Sequence, residues 1–175
     1  MISLVMDTSN SYLAVGLYQD NVCLEAFQEK GSRRQSEKAI PTLKEVLDRH
    51  HIALKDVNEM IITSGPGSYT GVRVAMTIAK TLAAVSDVRI KSVSSLAAYA
   101  GMNQAFSVID ARGHKVFVGV YENGLPLIKE QVVTLEDFAQ LRAEYEDFEL
   151  VGEVGCLGLD EKECDLCANI YALDG

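Results

Sequence analysis

The chain predicts an α/β protein built as two lobes, on three observations. The order strand, strand, strand, helix, strand occurs twice along the sequence. Each occurrence opens with an apolar strand stopped by an aspartate, Asp7 in the first and Asp110 in the second. Between them lies a strand-to-helix loop, Gly65-Pro66-Gly67-Ser68-Tyr69-Thr70-Gly71-Val72-Arg73, dense in glycine. A single α/β sheet is the alternative reading of the same pattern. The expected division is residues 1–103 for the first lobe and 104–175 for a second, smaller and shortened one.

The elements follow in order. Ile2 to Met6 is a short apolar run, read as a buried strand, and Asp7-Thr8-Ser9-Asn10-Ser11 is a polar turn. Tyr12 to Leu17 and Val22 to Phe27 read as strands around the hairpin signal Asp20-Asn21, with Gly16 marking a bulge or close approach. Ser32-Arg33-Arg34-Gln35 fits a capping box. The helix it opens runs to about Arg49 with Ile40, Leu43 and Leu47 as its apolar stripe, and Pro41 predicts a kink or restart. Met60 to Thr63 is a strand. A helix from Thr70, read as its N-cap, to Val85 follows the glycine loop, then a strand from Val88 to Val93 and a helix from Ser95 to Gly101. The second lobe begins near Ala105. Phe106 to Ile109, Val116 to Tyr121 and Leu125 to Val133 are its strands, with a tight turn at Asn123-Gly124. Thr134 caps a helix to about Tyr145, and Glu149 to Val151 is the last strand.

Composition narrows the function classes. Hydrophobic residues are 48% and charged residues 23% of the 175, the balance of a globular chain. No apolar run has the roughly 20 residues of a membrane span, and the N-terminus lacks the basic region of a signal peptide, so the expected location is the cytoplasm. Net charge is −9 and uneven: Glu130 onward holds 13 acidic against two basic residues. Such a chain is a poor independent nucleic-acid binder, since phosphate contacts supply most of that affinity. Any role on RNA needs a partner with a basic surface. Cys164-Asp165-Leu166-Cys167 is a lone CxxC with only Cys156 nearby, short of the four ligands of a zinc site, so inert thiols are the better reading and no metal site is expected.

Two motifs carry chemistry. Free amides at the N-terminus of the helix after Gly65–Gly71 favour an anion, and Arg73 offers a guanidinium fork. The plain alternative is a tight turn with a well-capped helix; no Walker lysine is present. Within that helix Gly71, Ala75, Ala79 and Ala83 recur every four residues, a small-residue ridge that lets another helix approach closely. That helix is either the chain's own first helix or a partner's. Asp7-Thr8-Ser9, echoed at Asp110, is the pattern of a turn that holds a metal–phosphate group, or of an Asx turn. HExxH, GxSxG and GxGxxG are absent, and His50-His51 suits a helix C-terminus.

Asp7-Thr8-Ser9, Gly65 to Arg73, Ser94-Ser95-Leu96 and Ile109-Asp110-Ala111-Arg112, in that order, resemble the TsaB (YeaZ) family, long labelled glycoprotease-like homologues of peptidase M22. The resemblance covers about residues 2 to 152. It implies a two-lobed actin/hexokinase-like (ASKHA, ribonuclease H-like) fold. It also implies a role in forming N6-threonylcarbamoyladenosine in tRNA, beside the anticodon, as a non-catalytic subunit. The implied partners are the paralogue TsaD, which holds the metal and transfers the group, and the small ATPase TsaE. A homodimer is implied when the chain is alone, and tRNA is met only through the complex. No cofactor of its own is implied, although ATP or ADP with magnesium fits the complex. Pairing in the family uses first-lobe helices, which maps onto the Ser32–Arg49 helix and the Gly71/Ala75/Ala79/Ala83 ridge, with Gly65, Gly67, Ser68, Tyr69, Thr70 and Arg73 leading into it. The residues depart from the family where Gln35-Ser36 replaces the frequent His-Ser, and the TsaD-type His-x-x-x-His is absent. The chain also ends earlier than most relatives, so the second lobe is expected to be truncated. A stand-alone nucleotide-binding kinase-like enzyme, resting on Asp7, Thr8, Ser9 and Asp110, is the competing hypothesis. A peptidase has no visible nucleophile–base pair.

Overall fold

In the computed structural model, which describes residues 1–31 and 35–174, two five-stranded sheets stand side by side. The first is β1 (Ile2–Asp7), β2 (Tyr12–Gln19), β3 (Val22–Lys30), β4 (Glu59–Thr63) and β5 (Arg89–Val93), in the spatial order β3-β2-β1-β4-β5. β1, β2 and β3 form an antiparallel meander, whereas β4 and β5 run parallel to β1. The hairpin between β2 and β3 turns at Asp20 and Asn21, both at positive φ, which short polar residues tolerate best after glycine. The second sheet is β6 (Ala105–Arg112), β7 (Lys115–Glu122), β8 (Leu125–Pro126), β9 (Gln131–Thr134) and β10 (Glu149–Gly152). β6 pairs antiparallel with β7 and parallel with β10, and β8 and β9 share the far side of β7. The two sheets therefore repeat one plan, a meander followed by a parallel strand, which is the actin/hexokinase-like architecture. The second stops one strand sooner.

The predicted single strand from Leu125 to Val133 is two strands. Pro126 has no N–H to continue a ladder, and the chain leaves the sheet after Leu127 donates to Val120 at 2.7 Å. It returns at Gln131.

Helices α1 (Gln35–Arg49) and α2 (Tyr69–Val85) cover one face of the first sheet. The capping box at Ser32 to Gln35 lies outside the described residues. Pro41 does not interrupt α1. It sits on the exposed face, and the carbonyl it cannot serve belongs to exposed Glu37. The apolar stripe is shifted from expectation: Ala39, Leu43, Val46 and Leu47 are buried, while Ile40 is 61% exposed. The N-cap of α2 is Ser68, whose Oγ accepts from the Gly71 N–H at 3.2 Å, and not Thr70, which is already inside the helix.

The opposite face of the first sheet meets α3 (Ser95–Ala100) and α5 (Leu166–Asp174). These two helices, with Val5, Ala14, Ile61, Ile109 and Tyr121, make one apolar block shared by both lobes. α4 (Leu135–Glu144), capped by Thr134, closes the outer face of the second sheet through Leu135, Phe138 and Leu141. α5 was not foreseen. Asp165 caps it by accepting from the Ala168 N–H at 3.0 Å, and Leu166, Cys167 and Ile170 are fully buried. Tyr171 stacks on Tyr18 with ring centroids 4.0 Å apart. The cysteine-bearing C-terminal stretch thus returns to the first lobe as a core helix. Among the described residues, no helix is long and apolar enough to cross a membrane.

Candidate functional site

The Asp7 turn and the glycine loop meet at the C-terminal ends of β1 and β4, where ligands of open α/β sheets bind. Asp7 is 1% exposed. Its Oδ1 accepts from the Ser9 N–H at 2.8 Å, the Ser9 Oγ at 2.6 Å and the Thr63 Oγ1 at 2.6 Å. Ser9 Oγ also lies 2.8 Å from Ser95 Oγ, which extends the network to α3. Thr8 Oγ1 donates to the Gly71 carbonyl at 2.5 Å. A buried carboxylate must be compensated by hydrogen bonds, and here the Ser9 amide and hydroxyl and the Thr63 hydroxyl supply them. Asp7 Oδ1 and the Thr8 and Ser9 hydroxyls are thus engaged within the turn and with β4, α2 and α3, as in an Asx-type turn. Among the described residues, no group of three or more His, Cys, Asp or Glu is placed to hold a metal ion.

The loop glycines are committed in the same way. A Cβ on Gly67 would stand 2.3 Å from the Ser9 carbonyl oxygen, and one on Gly71 would stand 2.1 Å from that of Thr8. The Ser68 N–H donates to the Ser9 carbonyl at 2.8 Å, and the Ser95 N–H to that of Gly65, which sits at φ 96°, at 2.8 Å. These glycines let the loop close on the chain's own first turn. Of the two approaches that the glycines allow, a ligand's or another backbone's, the backbone's is present at Gly67 and Gly71.

The ridge on α2 faces inward. Ala75 and Ala79 are completely buried against the sheet and α1, Gly71 is half-buried on Thr8, and only Ala83, at the helix end, is exposed. Of the two readings of the ridge, the chain's own first helix is the neighbour. A partner cannot reach Ala75 or Ala79. What α2 presents outward is Tyr69, 75% exposed, Arg73, Thr77, Lys80 and Val85. Arg73 donates to Tyr69 Oη at 2.6 Å, with its guanidinium 5.1 Å from the ring centroid.

Between the lobes runs a cleft of about 640 Å³. Ser9, Asn10, Ser11 and Gly67 to Thr70 form one lip, Asp110 to Arg112 the other, and Glu153 lies between. The topological equivalence of Asp7 and Asp110 does not extend to their surroundings. Asp110 is exposed, and its Oδ1 accepts from the Arg112 N–H at 2.8 Å. Glu153 was missed by sequence reading. Its Oε2 accepts from Ser11 Oγ at 2.5 Å and its Oε1 from the Asp110 N–H at 3.0 Å. Burial pushes its pKa up, against the lowering by those two donors, and the charges of Glu161 and Asp110 push the same way as burial. No local motif marks it, because its partners lie far away in the chain.

Cys156 Sγ donates to the Glu153 carbonyl at 3.0 Å. Cys167 is sealed under Gly16, and burial pushes Cys164 up to about 11 and Cys167 up to about 12. Thiols so shifted are poor nucleophiles at neutral pH.

Comparison with known proteins places this geometry. The family model described as TsaD, tRNA N6-adenosine threonylcarbamoyltransferase, matches residues 28–152. The tRNA threonylcarbamoyladenosine biosynthesis protein TsaB of Bacillus subtilis (strain 168) is 33% identical over 153 residues, covering 82% of this chain and 67% of the relative. The protein of the same name from Escherichia coli (strain K12) is 30% identical over 132 residues, covering 70% and 57%. Among solved structures, YeaZ from Pseudomonas aeruginosa superposes with a TM-score of 0.71 at 28% identity, over 75% of this chain and 67% of that one. The chain thus spans between 57% and 67% of the length of these relatives.

Proposed function

This chain belongs to the TsaB family, and from that premise we propose that it acts as a non-catalytic partner subunit in forming N6-threonylcarbamoyladenosine in tRNA, next to the anticodon. Its partners are then the TsaD transferase and the TsaE ATPase, with tRNA engaged through the complex. The observation that carries this reading over a stand-alone enzyme is the state of the Asp7 turn. Asp7 Oδ1, the Thr8 and Ser9 hydroxyls and the neighbouring glycines take part in fastening β1 to β4, α2 and α3. A turn spent on internal fastening supports a scaffold more than a phosphate-transfer site. The acidic balance points the same way, since −9 net charge favours a partner that brings the basic surface.

The docking surface belongs to the outward faces of α1 and α2 and not to the buried alanines. Ile40 and Tyr69 are large apolar groups left in water there, and Arg73 stiffens Tyr69. Aromatic and arginine side chains are the usual anchors of interfaces. Solution mass of the chain alone, with TsaD, and with Ile40→Asp or Arg73→Ala tests this. Each substitution is expected to weaken association at least tenfold without changing thermal stability; unchanged association would overturn the surface.

The second reading, a nucleotide in the cleft, is favoured by the cleft's size and its position between the lobes. Ser9 and Asp110 line it, Asp7 and Thr8 do not. Calorimetry with ATP and Mg²⁺ decides it, and no heat at millimolar nucleotide would sink it.

A further inference from the structure

The two lobes are joined by contacts of two physical kinds. One kind is apolar. α3 and α5 share Ala97, Ala98, Leu166 and Ile170 with Ile109 and Tyr121 of the second sheet. Separating these would expose close-packed core, so this block behaves as a fixed fulcrum. The other kind is polar and lies toward the cleft. Ser11 of the first lobe donates to Glu153 at 2.5 Å. Lys30 of the first lobe donates to Glu161 at 3.0 Å. Both acceptors belong to the connection that follows β10. Water can replace these bonds at small net cost.

Glu153 is placed where this connection leaves the second sheet. Gly152 before it sits at φ 98°, and a Cβ there would stand 2.2 Å from the Val108 carbonyl. The Glu153 N–H donates to that same carbonyl at 2.9 Å. The backbone at 152–153 is therefore pinned to β6, and the side chain extends from a fixed point. One carboxylate oxygen holds the Asp110 amide on one lip, and the other holds the Ser11 hydroxyl on the other lip. A single side chain bridges both walls of the cleft.

We propose that Glu153 is a latch: its two hydrogen bonds hold the lobes at their present separation, and the cleft widens by rotation about the α3–α5 block when the Ser11 bond breaks. Lys30–Glu161 lies on the same connection and resists the same motion. The inference does not depend on which partner or ligand the protein serves.

A distance measurement across the cleft tests it, on the full chain carrying one label at Thr70 on one lip and one at Arg112 on the other. Ser11→Ala breaks the bond across the cleft and leaves the Glu153–Asp110 bond within the second lobe. The expected result is a longer and broader label-to-label distance in Ser11→Ala and in Glu153→Ala, with the double variant no wider than Glu153→Ala alone. Hydrogen exchange at the amides of β1, α3 and α5 stays as in the unaltered chain. An unchanged distance in both single variants, a further widening in the double variant, or faster exchange at α3 and α5 would each overturn the latch.

Discussion

At the scale of single residues, the glycines of the loop show how one chemical property serves two different demands. Absence of a Cβ suits an approaching phosphate, and it equally suits an approaching backbone. Gly67 and Gly71 meet the carbonyls of Ser9 and Thr8, so the second demand is the one operating. Gly71→Ala gains helix propensity worth about 1 kcal/mol, yet drives a methyl onto a peptide oxygen that cannot retreat. The net expectation is a loss of about 3 kcal/mol, read as a lowered urea midpoint with an unchanged m-value. Gly113, by contrast, has open space where its Cβ would be. Its value lies in its positive φ in the β6–β7 hairpin.

At the scale of elements, α2 and α5 carry opposite lessons. The four-residue repeat of small side chains on α2 was visible in the sequence, but a close neighbour inside and a partner outside demand the same small residues. Burial of Ala75 and Ala79 shows that the neighbour is internal. Ala79→Arg should therefore unfold the protein, with a loss beyond about 4 kcal/mol from an unpaired buried charge. Circular dichroism melting checks it, and a folded variant with normal melting would contradict the packing. α5 is the reverse case. Its apolar residues 166, 167, 170 and 171 follow a helical spacing after the N-cap Asp165, so the signal was present. The CxxC within it drew attention to thiol chemistry instead. Leu166→Ala leaves a void between α5 and the first sheet and should cost about 3 kcal/mol, measured by denaturant unfolding.

At the scale of the whole molecule, the connection from β10 to α5 ties the lobes together and introduces a titrating group. Burial raises the Glu153 pKa above the ordinary value, near 4.3. A raised acid binds its proton more tightly when folded. The stability it contributes is complete below the ordinary carboxylate range and is lost as pH rises through the folded pKa. Glu25 works in the opposite sense: the Arg49 hydrogen bond, with His50, lowers its pKa, so its contribution is lost as pH falls. Comparing the unaltered chain with Glu153→Gln isolates the first effect. The difference in unfolding free energy should move against the unaltered chain as pH climbs from about 4 toward neutrality. A difference that stays flat would show that Glu153 is solvated and unlatched.

The repeated strand-strand-strand-helix-strand plan, the hairpin turns and the motifs that mark the family are legible in the residues alone. These depend on local periodicity, turn chemistry and residue identity, which need no distant partner to be read. Three-dimensional packing is what shows that the Asp7 turn fastens to β4, α2 and α3, that the alanine ridge is core, that the C-terminal helix belongs against the first sheet, and that Glu153 spans the cleft. Each of those depends on which distant segments the fold brings within a few ångströms, and the same residues would read identically in a chain that brought together others.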